Sequence, residues 1–279
     1  MVATALYSAT DAFSGCSSIE GRGFETRLPP HVHAWYVLGL VEVGTLRVTV
    51  NGRSFIARPG SIVALTPFQV HTELPLDEGG WSFRYLYPPE TTVRLALGLA
   101  LDPVEGPALP FARPVLEDAR LAFEIRRTHE MIRNGCKSTE VEDALGSVLR
   151  RARECHLRPP CDEPAARAGV ARVTSLLTAA PLFDVSLPEL AREAGLSTFR
   201  FVHVFRSAVG LPPYAFYEKV RIAFAHDRIQ QGQDLSTIAY DLGFADQSHL
   251  TRQFRRASFT TPGRLAGMVR EARLGRPGS

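Results

Sequence analysis

The sequence is poor in cysteine and has no long apolar run, and each absence excludes a class. Four cysteines in 279 residues, Cys16, Cys136, Cys155 and Cys161, are too few and too unevenly spaced for a disulfide framework. They do not form the close pairs of a zinc ribbon either. Cys155, His156 and Cys161 are crowded, but they read as reduced thiols beside a helix end and a linker. No apolar stretch approaches the roughly 20 residues of a membrane helix, so no membrane partner is expected. Met1 to Thr10 lacks the basic region and apolar run of a secretory signal, so the expected place is the cytoplasm.

What is present is ordinary in amount and uneven in distribution. Hydrophobic residues make up 45% and charged residues 22%, enough for a core in each of two domains. Residues 1–166 carry 17 Lys and Arg against 20 Asp and Glu, whereas residues 167–279 carry 15 against 9. A basic C-terminal half suits a phosphate-bearing partner.

The first ninety residues read as β structure. Ala34 to Val43 is a β-rich apolar run, and Leu46 to Val50 alternates with period two. Asn51-Gly52 supplies a hairpin turn into Arg53 to Ala57. Ser61 to Leu65, Val70 to Leu74 and Trp81 to Tyr87 follow as short strands, a barrel or sandwich pattern. Near Glu117 the period changes. Leu121, Ile125, Thr128 and Ile132 share one helix face, Asn134-Gly135 ends that helix, and Val141, Leu145, Val148, Leu149 and Ala152 line the next. The apolar stripes of this hairpin, helices 117–133 and 140–155, need a surface: the chain's own barrel or a second subunit. The prolines at 159, 160 and 164 mark a linker. The expected organisation is a barrel domain with its hairpin over 1–156, a linker over 157–168, an all-helical domain over 169–268 and a basic tail over 269–279.

The helical half contains a diverged repeat. Leu187, Ala191 and Gly195 match Leu235, Ala239 and Gly243 at an offset of 48, and Phe205-Arg206 matches Phe254-Arg255 at 49. The second copy therefore has one extra residue in its turn. Ser186 and Glu189 have capping-box spacing, and Asp234 caps the second copy. Gly195 and Gly243 stop the first helix of each copy, and Ser197 and Asp246 start the second. Phe201, Val204 and Phe205, or Leu250 and Phe254, point inward. The other face stays polar, with His203 and Arg206 in one copy and Gln247, Thr251 and Arg252 in the other. A short helix, a glycine turn and a polar-faced second helix make a helix-turn-helix, whose exposed helix fits a major groove. Pro212-Pro213 opens a long helix to about Gln230 that joins the two copies.

The segment Ala239 to Pro262, with Gly243-Phe244, Asp246-Gln247-Ser248-His249, Thr251-Arg252, Phe254 and Thr261-Pro262, resembles the signature of the AraC/XylS family of bacterial transcription regulators. The resemblance covers about Val170 to Met268. It implies two helix-turn-helix units reading adjacent major grooves of double-stranded DNA. The family's DNA-facing positions fall on Thr198, Phe199, Val202, His203 and Arg206, and on Gln247, Ser248, Thr251 and Arg252. Two departures stand out: His203 where many members have Arg, and Ser258 where Gly is common. Asp246 and His249 read as cap and structural hydrogen-bonding residues. The N-terminal half is similar to the family's cupin-like sensor domain through His31-Val-His33, Glu42-Val-Gly44, Pro59-Gly60, Thr66-Pro67 and His71. The resemblance implies a small effector near His31, His33, Trp35 and His71, a homodimer through the helix hairpin, RNA polymerase as a partner, and activation.

The rival reading is a cupin-type metal-dependent enzyme with an accessory helical domain. His31, His33 and His71 would be its ligands. The carboxylate such enzymes add is missing, since positions 36–38 are Tyr, Val and Leu, and Glu42 lies further along. The expectation is therefore no enzyme, no cofactor and no metal.

Overall fold

The computed structural model describes residues 4–9, 16–99, 109–157, 165–179, 186–258 and 260–273. The N-terminal half contributes β1 (Thr4–Ala9), β2 (Ser17–Phe24), β3 (Leu28–His31), β4 (Val37–Val43), β5 (Leu46–Val50), β6 (Arg53–Ala57), β7 (Ile62–Leu65), β8 (His71–Pro75), β9 (Trp81–Tyr87), α1 (Glu90–Ala96), β10 (Val115–Leu116), α2 (Ala119–Arg133) and α3 (Ser138–Cys155). The C-terminal half is helical: α4 (Ala165–Ala179), α5 (Leu187–Glu193), α6 (Thr198–Val209), α7 (Pro213–Gln230), α8 (Leu235–Asp241), α9 (Gln247–Ala257) and α10 (Pro262–Arg273).

Two antiparallel sheets, ordered β1-β2-β9-β4-β7-β10 and β3-β8-β5-β6, enclose Val37, Val41, Leu46, Val48, Trp81, Phe83 and Tyr85. The alternation of Leu46 to Val50 resolves as expected: Leu46, Val48 and Val50 are buried, while Arg47 and Thr49 are not. Asn51 and Gly52 both take positive φ, the backbone that a two-residue hairpin between right-twisted strands requires. β4 begins at Val37, so Trp35 and Tyr36 lie outside the strand that the run Ala34 to Val43 suggested. β2 and β3 had no legible pattern. β2 carries Gly21 and Gly23 with a register shift before Phe24, and pairing with β9 holds it in the sheet.

β4 is buried on both faces for a specific reason. Val37 and Val41 face the sandwich interior, while Leu38 and Leu40 meet α2 and α3 outside. Leu121, Ile125, Ile132, Val141, Leu145, Val148 and Leu149 all bury there. The chain's own sheet thus occupies the apolar stripes of the hairpin. A dimer through this hairpin would have to use its outer side, where Phe123 is exposed. Asp118 caps α2 and also receives Arg151 at 2.9 Å and His156 at 2.8 Å. His156 is therefore engaged away from the cysteines. Cys136 and Cys155 are exposed and Cys16 is buried, all as free thiols, and Cys161 lies outside the described residues.

In the helical half α7 serves two cores. Phe216, Val220 and Ala223 pack with Val170, Val173, Leu190, Phe201 and Phe205. Ile222, Ala225 and Ile229 pack with Ile238, Leu242, Leu250, Phe254 and Leu265. Two edges differ from the sequence reading. α4 starts at Ala165, inside the segment read as linker, and the prolines at 159, 160 and 164 lie outside the described residues. α10 runs to Arg273 with Val269 buried, so the start of the expected tail is helix.

Candidate functional site

The repeat folds into two helix-turn-helix units, α5–α6 and α8–α9. Ser186 accepts from the Glu189 amide, and its hydroxyl donates to the Glu189 carboxylate at 2.5 Å. Asp234 accepts from the amides of Ser236 and Thr237. The turns are residues 194–197 and 242–246, so the second is one residue longer. Gly195 at φ +68° and Gly243 at φ +66° sit in the left-handed region that a side chain disfavours. Ser197 and Asp246 then cap α6 and α9 through the amides of Arg200 and His249. The His249 Nδ1 accepts from the Ala245 amide at 3.3 Å, which closes the turn from the other side.

Thr198, Phe199, His203 and Arg206 are exposed along α6, and Val202 is half-buried. The Phe199 and His203 rings meet edge-on at 4.5 Å. On α9, Gln247, Ser248 and Arg252 are exposed. Thr251 is half-buried and donates its hydroxyl to the Gln247 carbonyl at 2.9 Å, leaving the oxygen free to act as an acceptor. Each helix is anchored from behind by fully buried phenylalanines: Phe201 and Phe205, or Phe254.

A second site lies where the two halves meet. A cavity of about 500 Å³ is lined by His31, His33, Trp35 and Tyr87 from the barrel and by His226, Arg255, Thr261, Arg264 and Met268 from the helical half. Its remaining walls are largely apolar, including Phe24, Leu28, Phe83, Ile222 and Leu265. Among the described residues Arg255 and Arg264 make no ion pair. The Trp35 indole N–H donates to Asp227 of α7 at 3.1 Å, and its ring meets His226 edge-on at 5.2 Å. The same residue therefore lines the cavity and ties the halves together.

His31, His33 and His71 come together as the sequence spacing suggested, with ring centroids 4.0 to 5.2 Å apart. His31 and His71 are opposed across β3 and β8. Of the three, His31 and His33 line the cavity and His71 does not. Burial pushes the His31 imidazole down to about 4 and holds His33 and His71 well below their ordinary range, so all three are neutral near pH 7. Glu42 is not part of the cluster. It faces outward and pairs with Arg84 at 2.9 Å and Arg126 at 2.7 Å.

Sequence reasoning missed the cavity's second wall. His226, Arg255 and Arg264 lie far along the chain from the barrel histidines, and no periodicity links them. Glu73 was also missed. It is fully buried, accepts from the Tyr85 hydroxyl at 2.6 Å, and burial raises its carboxyl to about 7. Its signal was available: in the alternation of β8 an acid occupies the same inward face as His71.

Comparison with known proteins agrees with this architecture. The AraC-like ligand binding domain family matches residues 17–149, and a helix-turn-helix domain family matches residues 190–267. The transcriptional regulator YbfI of Bacillus subtilis is 24% identical over 235 residues, 82% of this chain and 83% of its own length. The transcriptional activator RhaS of Pectobacterium atrosepticum is 23% identical, covering 88% and 90%. The structure of unsaturated fatty acid-bound ToxT from Vibrio cholerae superposes with a TM-score of 0.55 at 14% identity, covering 95% of each chain. At that identity the likeness establishes the shared two-domain fold. An AraC-type sensor barrel joined to two helix-turn-helix units identifies this chain as a member of the AraC/XylS family of transcription regulators.

Proposed function

We propose that the chain reads DNA with α6 and α9 and that a small effector in the cavity between the halves controls how it does so. The observation that carries this reading is the shared cavity, which has walls from both domains. A ligand there touches barrel and helices together, so it binds differently to any arrangement in which they part. On α6 the contacts fall to Thr198, Phe199, Val202, His203 and Arg206, and on α9 to Gln247, Ser248, Thr251 and Arg252. The basic balance of residues 167–279 supports a phosphate-bearing partner. Two reading helices fixed on one rigid α7 suit adjacent major grooves without requiring a palindrome.

The cavity suits an apolar molecule carrying an acid group. Its walls are apolar, and Arg255 and Arg264 supply cationic donors. The fatty acid named for ToxT belongs to the same chemical class. Activation is the expected sign, in keeping with RhaS. Contact with RNA polymerase and a second copy of the chain on the outer side of α2 and α3 complete the reading. An action on DNA places the protein in the cytoplasm. The metal-dependent enzyme is disfavoured because Glu42, the carboxylate nearest to its pattern, is committed to Arg84 and Arg126.

The test is fluorescence anisotropy of the full chain on a footprinted promoter fragment, with and without medium- and long-chain carboxylic acids. The expected result is an acid-dependent change in Kd that Arg264→Gln removes while acid-free DNA binding persists. An affinity for DNA that no acid alters, with no acid raising the melting temperature, would sink the effector reading. Absence of any sequence preference on DNA would sink the regulator reading.

A further inference from the structure

Three imidazoles converge where the proposed function needs only one or two polar contacts. The His31 Nδ1 lies 2.9 Å from the Pro29 carbonyl, and the His71 Nδ1 lies 2.9 Å from the Gln69 carbonyl. Each Nδ1 must carry the proton to make that bond, so each Nε2 presents a bare lone pair. Both Nε2 atoms are buried and have no hydrogen-bond partner among the described residues. A buried acceptor left unpaired in this way is destabilising, and here there are two, in side chains whose rings are 4.0 Å apart. One donor nitrogen from each of His31, His33 and His71 lies within 4.8 Å of the other two.

From this geometry we infer that His31, His33 and His71 form a binding site for a divalent first-row transition ion, with zinc the foremost candidate. Three observations converge. The donor set is uniform imidazole, which suits zinc, nickel, copper and iron more than magnesium or calcium. Two of the three rings are oriented by backbone carbonyls at the nitrogen remote from the cluster, the arrangement that fixes ligating histidines. The nitrogens are near enough to close on one ion: tetrahedral zinc with bonds of about 2 Å sets ligand nitrogens about 3.3 Å apart, a contraction of up to about 1.5 Å from the 4.8 Å within which they lie. Three protein ligands leave a fourth position. That position is reached from the cavity, whose wall includes His31 and His33. A water or an effector carboxylate fills it. The site does not depend on the DNA-reading proposal, and it differs from an enzymatic cupin centre in lacking the carboxylate. One charge opposes it: the Lys219 ammonium on α7 is felt at His31.

The experiment uses the full chain without an affinity tag, stripped with a chelator and titrated with Co²⁺, followed by Zn²⁺ competition and elemental analysis. The expected result is one Co²⁺ per chain with the visible absorption of a four-coordinate site, displaced by Zn²⁺. His33→Ala and His71→Gln each weaken binding by about a hundredfold or more. Lys219→Met tightens it. Cys136→Ser and Cys155→Ser, which remove the exposed thiols among the described residues, leave it unchanged. His33 is half-buried, so His33→Ala decides the matter if the His71 variant fails to fold, as judged by its melting curve. The inference is overturned if the wild-type chain takes up no stoichiometric Co²⁺ or Zn²⁺ at micromolar free metal. It is equally overturned if His33→Ala binds within a few-fold of wild type.

Discussion

The two helix-turn-helix units descend from one pattern and sit in different surroundings. The core of the first unit continues into the barrel: Val32 and Val70 are buried with Phe201, Phe205 and Phe216. The core of the second closes on α10, and its neighbours Arg255, Thr261 and Arg264 line the cavity. The first unit thus meets the sensor through a shared apolar core, whereas the second meets it through Ile19, β1 and β3 around the rim of a space a ligand can fill. Equivalent sequence in the two copies sets equivalent local structure, while their positions relative to the barrel assign them different work.

The largest effects should come from the cores. Phe205→Ala and Phe254→Ala each empty a fully buried aromatic site, at a cost of about 3–5 kcal/mol. Hydrogen exchange should separate them: Phe205→Ala loosens the barrel around Val32 and Val70, whereas Phe254→Ala loosens it around Trp35, which reaches Phe254 through the stacked His226 ring. Loosening of the same barrel segments by both would erase the comparison.

Next comes acid. Burial lowers the His226 imidazole to about 4, and this ring lies between Trp35 and Phe254. The unfolded chain binds the extra proton between pH 6.5 and 4, so the stabilisation is complete above 6.5 and drains away as pH falls toward 4. The loss is on the order of 3 kcal/mol. Thermal melts at stepped pH should show His226→Gln with a shallower decline than wild type. An identical slope would mean that other buried groups set it.

The reading faces should differ by less. Arg252→Ala should weaken binding to cognate DNA by about 1–3 kcal/mol, roughly tenfold to a hundredfold in Kd, if it reads a base. His203→Ala should cost less, because its ring is turned toward Phe199. Anisotropy on cognate and random fragments measures both, and a larger loss from His203→Ala would reverse the ranking. The smallest effect is expected from Trp35→Phe. It removes the indole bond to Asp227 for about 1 kcal/mol. Its signature is a weakened effector response on DNA with little change in melting temperature.

Much of this was legible in the chain. The caps at Ser186, Ser197, Asp234 and Asp246, the glycine turns and the extra residue in the second copy are local features, and each formed as its chemistry requires. The stripes of α2 and α3 were visible too, but their partner was not. A helix face specifies that it must be covered and carries no address for the cover. Glu42 illustrates the same limit: its spacing near the histidines was plain, and only strand geometry turned it outward to Arg84 and Arg126.

By itself the sequence determined two capped helix-turn-helix units, the helix between them, a strand-rich domain before them and the family all of these denote. Each is written in contacts a few residues apart, where period and turn chemistry are decisive. The tertiary structure decided the cavity that both halves line, the converging nitrogens of His31 and His71, and how each helix-turn-helix unit meets the barrel. Those features join side chains such as Trp35 and Asp227, 192 residues apart. Contact at that separation follows from how whole layers stack, which no local pattern of residues encodes.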